Sequence, residues 1–175
     1  WRYRDTGNAS VSDALTNGFV ISAFAGIFEE ICFRWLFFYS AIASLTLVNY
    51  MFFDWAGFGI TEFLYNNVVG KVANFTTLKQ LEEFLFGELG WAVGAAIIVS
   101  NGKFRDGHSY QGFFGFVNSW FLGMVFFYIM FNYGLLLAIL IHFLYDFVIF
   151  LTVSVEVFVK SLSLIHISEP TRPVP

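Results

Sequence analysis

The chain has 175 residues, of which 58% are hydrophobic, 22% aromatic and 13% charged, and its mean hydropathy is +0.69. A soluble domain carries about 25% charged residues, so this balance excludes an ordinary soluble globule and points to a membrane protein of one domain's length. The net charge of −4 argues against a nucleic-acid partner, and the single cysteine, Cys32, excludes an internal disulfide and a cysteine-rich zinc site.

Residues 1–17 form a polar flank without the apolar core of a cleavable signal peptide. The chain begins at Trp1 rather than Met, so truncation upstream is expected. Arg2 and Arg4, just before the first apolar stretch, favour a cytoplasmic start. Residues 18 to 53 are almost continuously apolar. As one helix they would run about 54 Å, against a bilayer core of about 30 Å. The helix must therefore tilt and protrude or break, and Ser40-Ala-Ile-Ala-Ser44 is the expected break, although no Gly or Pro marks it.

Residues 54–90 are a more polar insertion carrying Asp54, Glu62, Lys71, Lys79, Glu82, Glu83 and Glu88. Gly57 and Gly59 punctuate its start. Within it, Thr76 to Phe86 fits a capped amphipathic helix on the membrane surface, with Leu78, Leu81 and Leu85 on one face. The insertion is expected as a lid or a substrate-facing surface. Trp91 to Ser100 is apolar but too short to span, and Asn101 to Gln111 is polar. Gly112 to Tyr133 is a clear span ended by Gly134, as a C-cap glycine would end it. Leu135 to Val159 is another span, carrying His142, Asp146 and Glu156. Residues 162–175, with His166, resemble the translation of a sequencing adapter and are set aside as a non-native tail. The expected architecture over residues 18–160 is all-α: a polytopic bundle of about four membrane helices, since only helices or closed barrels satisfy the backbone in lipid.

Glu29 and Glu30 sit side by side inside the first apolar run, with Arg34 one turn further on. A charged side chain at bilayer depth costs roughly 2.5–3.5 kcal/mol, so such a cluster reads by default as a functional site. Glu30 and Arg34 are spaced i,i+4 and can pair on one helix face. Glu29 lies about 100° round the helix and points elsewhere. Gly26, one turn earlier, allows a close neighbour. His142 and Asp146 are also spaced i,i+4, so the carboxylate can fix the imidazole. One Glu and two His, namely Glu29, His108 and His142, make the minimum set for a catalytic zinc that activates a water. Plainer readings stand beside these: a structural Glu30–Arg34 pair, a packing histidine at 142, a loop histidine at 108, and Asp106 paired with Arg105 or Lys103. Trp91 and Trp120 read as interface anchors.

Three segments then resemble a known family. Glu29-Glu30-Ile-Cys-Phe-Arg34 fits E-E-x-x-x-R, Phe104-Arg-Asp-Gly-His108 fits F-x-x-x-H, and His142-Phe-Leu-Tyr-Asp146 fits H-x-x-x-(N/D). In this order they resemble the motifs of the CAAX protease and bacteriocin-processing family of intramembrane proteases, also called Abi. The resemblance covers about residues 18 to 150. It implies a helical membrane domain with a cytosol-facing cavity, and peptide-bond hydrolysis by a water activated between Glu29 and His108. It also implies that His142 and residue 146 stabilise the oxyanion while Glu30 and Arg34 support the site. Zinc on Glu29, His108 and His142 is the expected cofactor.

The expected partners are membrane lipid and a peptide or protein substrate, either a prenylated C-terminus or a bacteriocin-type peptide. A bacterial inner membrane is the expected location. Residue 146 departs from the pattern, being Asp where Asn is common. An ionised Asp has no proton for an oxyanion, so Asp146 is expected to fix the tautomer of His142. The alternatives are a non-catalytic membrane binding or immunity protein of the same fold, and a proton or ion pathway extended by Glu156.

Overall fold

The computed structural model describes residues 11–54, 59–87 and 90–168. The polar flank up to residue 10, Gly57, Glu88 and the last seven residues lie outside the described residues, as do the side chains of Asp54 and Glu156.

The first apolar run is one continuous helical rod. It comprises α1 (Val11–Glu29), a π-helical segment Glu30–Phe37, α2 (Phe38–Asn49) and a second π turn, Tyr50–Asp54. The break expected at 40–44 is absent. Nothing between Ile27 and Phe53 is a glycine or proline, so no residue there removes a backbone donor or favours leaving the helix. The irregularity falls earlier, where the turns widen at the charged residues; wide π turns occur at functional positions.

The insertion is built of short helices: α3 (Ile60–Leu64), a π turn Tyr65–Val69, α4 (Gly70–Thr76) and α5 (Glu82–Phe86). The expected amphipathic helix over 76–86 is split. Leu78 and Lys79 take left-handed backbone conformations, with φ of 53° and 64°. Thr77 competes for the helix end, its hydroxyl donating to the Ala73 carbonyl at 2.9 Å. The turn separates the three leucines: Leu81 and Leu85 are buried, whereas Leu78 is 78% exposed. This segment therefore contributes to the core, and Tyr65 ties its parts together by donating to the Leu85 carbonyl at 2.9 Å.

α6 (Gly90–Gly107) joins the apolar segment and the polar one in a single 18-residue helix. Two of its polar residues, Ser100 and Asn101, are used between helices, as described below. A 3-10 turn, Ser109–Gln111, leads into α7 (Gly112–Tyr133), and Gly134, with φ of 93°, passes the chain to α8 (Leu135–Ser168).

The chain is an all-α membrane helix bundle. Among the described residues, three helices are long and apolar enough to cross a bilayer: Leu15–Phe52, Ser109–Tyr133 and Leu135–Thr152. α1 packs on α8, α2 on α6, α6 on α7, and α7 on α8. The core gathers Phe38, Leu85, Ala96, Ile97, Met124 and Phe127. Many other large apolar side chains face outward, as the solvent-facing residues of a bundle do when the solvent is lipid. Gly26 sets the α1–α8 spacing: a Cβ there would lie 2.9 Å from the Phe143 backbone nitrogen and 3.1 Å from the Ile139 carbonyl oxygen.

Candidate active site

Glu29 closes α1 and Glu30 opens the π segment, so the adjacent carboxylates leave the rod in different directions. Glu30 and Arg34 are fully buried. Arg34 Nη1 lies 3.1 Å from Glu30 Oε1, and Nη2 donates to the Gly123 carbonyl at 3.3 Å. The guanidinium lies over the Phe104 ring at 4.1 Å and near Phe126 at 5.2 Å. A planar, weakly hydrated cation suits such a slot, where ring faces and carbonyls replace water.

Glu30 Oε1 also accepts from His142 Nδ1 at 2.7 Å. The His142 ring stacks on Phe126, with centroids 4.6 Å apart and planes 17° from parallel. An ionised carboxylate can only accept, so Nδ1 carries the proton and Nε2 is turned to the site. The group that fixes His142 is therefore Glu30. Asp146, expected in that role from its i,i+4 spacing, lies on the other side of the ring, its Oδ2 3.5 Å from Nε2.

His108 follows α6 and comes from a different direction. Its Nδ1 donates to the Phe104 carbonyl at 2.8 Å, which again leaves Nε2 free. That nitrogen lies 3.7 Å from Glu29 Oε2, and His142 Nε2 lies 3.9 Å from the same oxygen. Three helical elements thus bring Glu29, His108, His142 and Asp146 together. Exposure is graded across them: Asp146, Glu29 and His108 are 32%, 28% and 19% exposed, and His142 only 4%. The site is open at its acidic rim and dry at its base.

Glu29 Oε2 is itself buried and has no hydrogen-bond partner among the described residues. With neutral rings, the two Nε2 atoms, Glu29 Oε2 and Asp146 Oδ2 are all acceptors. A proton-bearing guest such as water, or a cation, is what this arrangement lacks. Two imidazoles and a carboxylate are the donor types zinc takes. Among the described residues, however, no group of three or more His, Cys, Asp or Glu side chains is arranged as a metal-ligand set.

The polar stretch before His108 has a structural use that its sequence did not disclose. Ser100 donates to the Phe33 carbonyl, within the π segment, and Asn101 Nδ2 donates to the Trp120 carbonyl at 2.9 Å. Both residues are fully buried. They fasten α6 to the rod and to α7, two turns before His108. Arg105 pairs with Asp106 at 2.7 Å and covers the Phe116 ring at 4.3 Å. Sequence reasoning missed Ser100, Asn101, Gly123 and Phe126. The only signal was a Ser-Asn pair following an apolar run.

Two cavities lie apart from these residues. One of about 720 Å³ is lined by Ile42, Thr46, Leu47 and Trp91 among others, and one of about 260 Å³ lies between the Thr77–Leu81 turn and α7.

Carboxylates and imidazoles from separate apolar helices thus converge on one site within the membrane bundle. Comparison with family models specifies this further: residues 11–148 match the family described as type II CAAX prenyl endopeptidase Rce1-like. The chain belongs to that family, which makes it a CAAX-type membrane peptidase. No similar curated protein and no similar solved structure was found.

Proposed function

We propose that the chain is an intramembrane endopeptidase in which Glu29 is the general base on a water. The observation that carries this reading is the placement of Glu29 Oε2, unpartnered, 3.7 and 3.9 Å from the Nε2 atoms of His108 and His142. Water between Glu29 and His108 gives one proton to the Glu29 carboxylate and is oriented by a hydrogen bond to His108 Nε2. The resulting hydroxide adds to the scissile carbonyl. The oxyanion forms beside His142, whose ring Glu30 holds in place, and takes a hydrogen bond from Nε2 when that nitrogen carries a proton. Collapse of the tetrahedral intermediate passes the Glu29 proton to the leaving nitrogen and releases an amine and a carboxylic acid. Arg34 pairs with Glu30 and keeps it aimed at His142.

Zinc is a separate proposal resting on donor types alone. Nε2 of His108 and His142 with the Glu29 carboxylate would hold it, and it would supply Lewis-acid polarisation of the water. Metal analysis of the purified protein against His108→Ala tests it. The proposed substrate is a peptide whose scissile bond reaches the open rim. A prenylated C-terminus and a bacteriocin-type peptide are the two forms to assay, and a bacterial inner membrane is the proposed location.

The decisive experiment is Glu29→Gln. Cleavage should fall by about 10²–10⁴-fold, the usual worth of a general base, with the unfolding transition unchanged. Retained cleavage removes Glu29 from this role. Full biological function of Glu29→Gln without any cleavage by the native protein would instead support a non-catalytic membrane protein.

A further inference from the structure

We propose that Gly123 on α7 is a positioning residue for this site, acting through Arg34 and Glu30 on His142. Gly123 lies in none of the three motifs that carry the family resemblance. Its carbonyl accepts from Arg34 Nη2 at 3.3 Å. Arg34 Nη1 holds Glu30 Oε1 at 3.1 Å, and that same oxygen receives the His142 Nδ1 proton at 2.7 Å. The chain of contacts is unbroken from a backbone carbonyl to the imidazole that faces the reacting bond. It is also wholly buried, so solvent cannot substitute for a missing link.

Glycine is required at this point by crowding rather than by backbone conformation. A Cβ on residue 123 would stand 1.8 Å from Asn101 Oδ1, 2.9 Å from Asn101 Cγ and 3.0 Å from Phe104 Cδ1. Asn101 cannot simply turn away, because its Nδ2 is engaged by the Trp120 carbonyl at 2.9 Å. Phe104 cannot move freely either, since its ring carries the Arg34 guanidinium at 4.1 Å and its carbonyl holds His108 Nδ1. A methyl group at 123 must therefore push α7 from α6 or displace both residues. The face of α7 that moves also carries Phe126 and Phe127, at i+3 and i+4. Phe126 stacks on His142, and both rings lie within 5.5 Å of the Arg34 guanidinium carbon. One displacement loosens the clamp on Glu30 and the wall behind His142 together.

The kinetic part of this inference rests on the endopeptidase reading; the spectroscopic part does not. The experiment is Gly123→Ala in purified full-length protein, made in the Asn101 and in the Asn101→Ala backgrounds. Nitrogen-15 NMR of labelled histidine reads the His142 tautomer, and steady-state kinetics reads cleavage. With Asn101 present, the His142 Nδ1–H signal should shift or broaden. kcat should fall on the order of tenfold to a hundredfold with KM little changed, as expected when a catalytic group is misplaced by about an ångström. With Asn101→Ala, which removes the two nearest colliding atoms, Gly123→Ala should cost less than threefold relative to Asn101→Ala alone, a non-additivity that marks the direct contact. An unchanged His142 signal in Gly123→Ala overturns the proposal, and so does a perturbation that persists undiminished in the Asn101→Ala background. If Gly123→Ala does not fold, Arg34→Lys replaces it. Lys lacks the fork that spans Gly123 and Glu30, so the same His142 change is expected, and its absence overturns the proposal. A protein with the expected NMR changes but no cleavage of any peptide would fail the endopeptidase reading alone.

Discussion

The Glu30–Arg34 pair can be tested by a double-mutant cycle whose size follows from its geometry. The two side chains are fully buried with nitrogen and oxygen 3.1 Å apart. At an effective dielectric of about 20, unit charges at that separation attract by about 5 kcal/mol. Arg34→Met removes this attraction, the Gly123 contact and the stacking on Phe104, and leaves the Glu30 carboxylate dry with His142 as its remaining partner. Breaking a buried pair from one side costs about 3–5 kcal/mol, and that is the expected loss for Arg34→Met. Glu30→Gln keeps an acceptor for His142 but strands the guanidinium, with a comparable loss. Combining the two leaves no unpaired charge, so the double variant should be less damaged than the sum of the singles by about 2–3 kcal/mol. The assay is equilibrium unfolding in mixed detergent micelles, followed by far-ultraviolet circular dichroism. Additive single losses, or an Arg34→Met loss below about 1 kcal/mol, would refute the view that Arg34 and Glu30 act as a coupled buried pair.

Two further outcomes follow from the packing. Gly26→Ala sets a methyl group against the α8 backbone, which cannot rotate aside as a side chain can; it should cost about 1–3 kcal/mol in the same unfolding assay, and a loss under about 0.5 kcal/mol would show that α1 and α8 are not in close contact there. Burial pushes the Tyr65 hydroxyl up from 10.0 to about 12. The folded state therefore holds this proton more tightly than the unfolded state, so the contribution is intact below pH 10 and is lost as pH rises through 12. A fall in stability over that window is expected in the native protein and should be smaller in Tyr65→Phe; equal falls in both would remove Tyr65 as its source.

The sequence disclosed the helical membrane bundle and its unusual side chains more readily than the contacts those side chains make. Charges stand out in apolar runs, and i,i+4 spacing on a helix is a strong geometric statement, so Glu29, Glu30, Arg34 and His142 could be singled out directly. Asp146 shows where spacing falls short. It lies one turn from His142, and its spacing marks it as the group that fixes that ring's tautomer, but His142 Nδ1 goes to Glu30, 112 positions away in sequence. No local pattern encodes such a choice. The left-handed turn at Leu78 and Lys79 was also hidden, because neither residue type favours that conformation and only the burial of Leu81 and Leu85 rewards it. Ser100 and Asn101 border a stretch that reads only as polar, and polarity usually means solvent. Here their polar atoms are spent on carbonyls of adjacent helices, which hydrophobic periodicity cannot distinguish from exposure.

The π-helical segment has a consequence for how the first motif is inherited. A π turn holds more residues than an α turn, so Glu30–Phe37 carries surplus chain between the α-helical stretches α1 and α2. A one-residue deletion there can be absorbed by tightening to α geometry without breaking the helix, but everything downstream then turns by about 100° relative to α1. Glu29 belongs to the rod before this segment and Arg34 lies within it. The five-residue interval between them is therefore a phase setting as much as a motif: the same six letters wound as an α-helix would aim the base and the clamp at different neighbours.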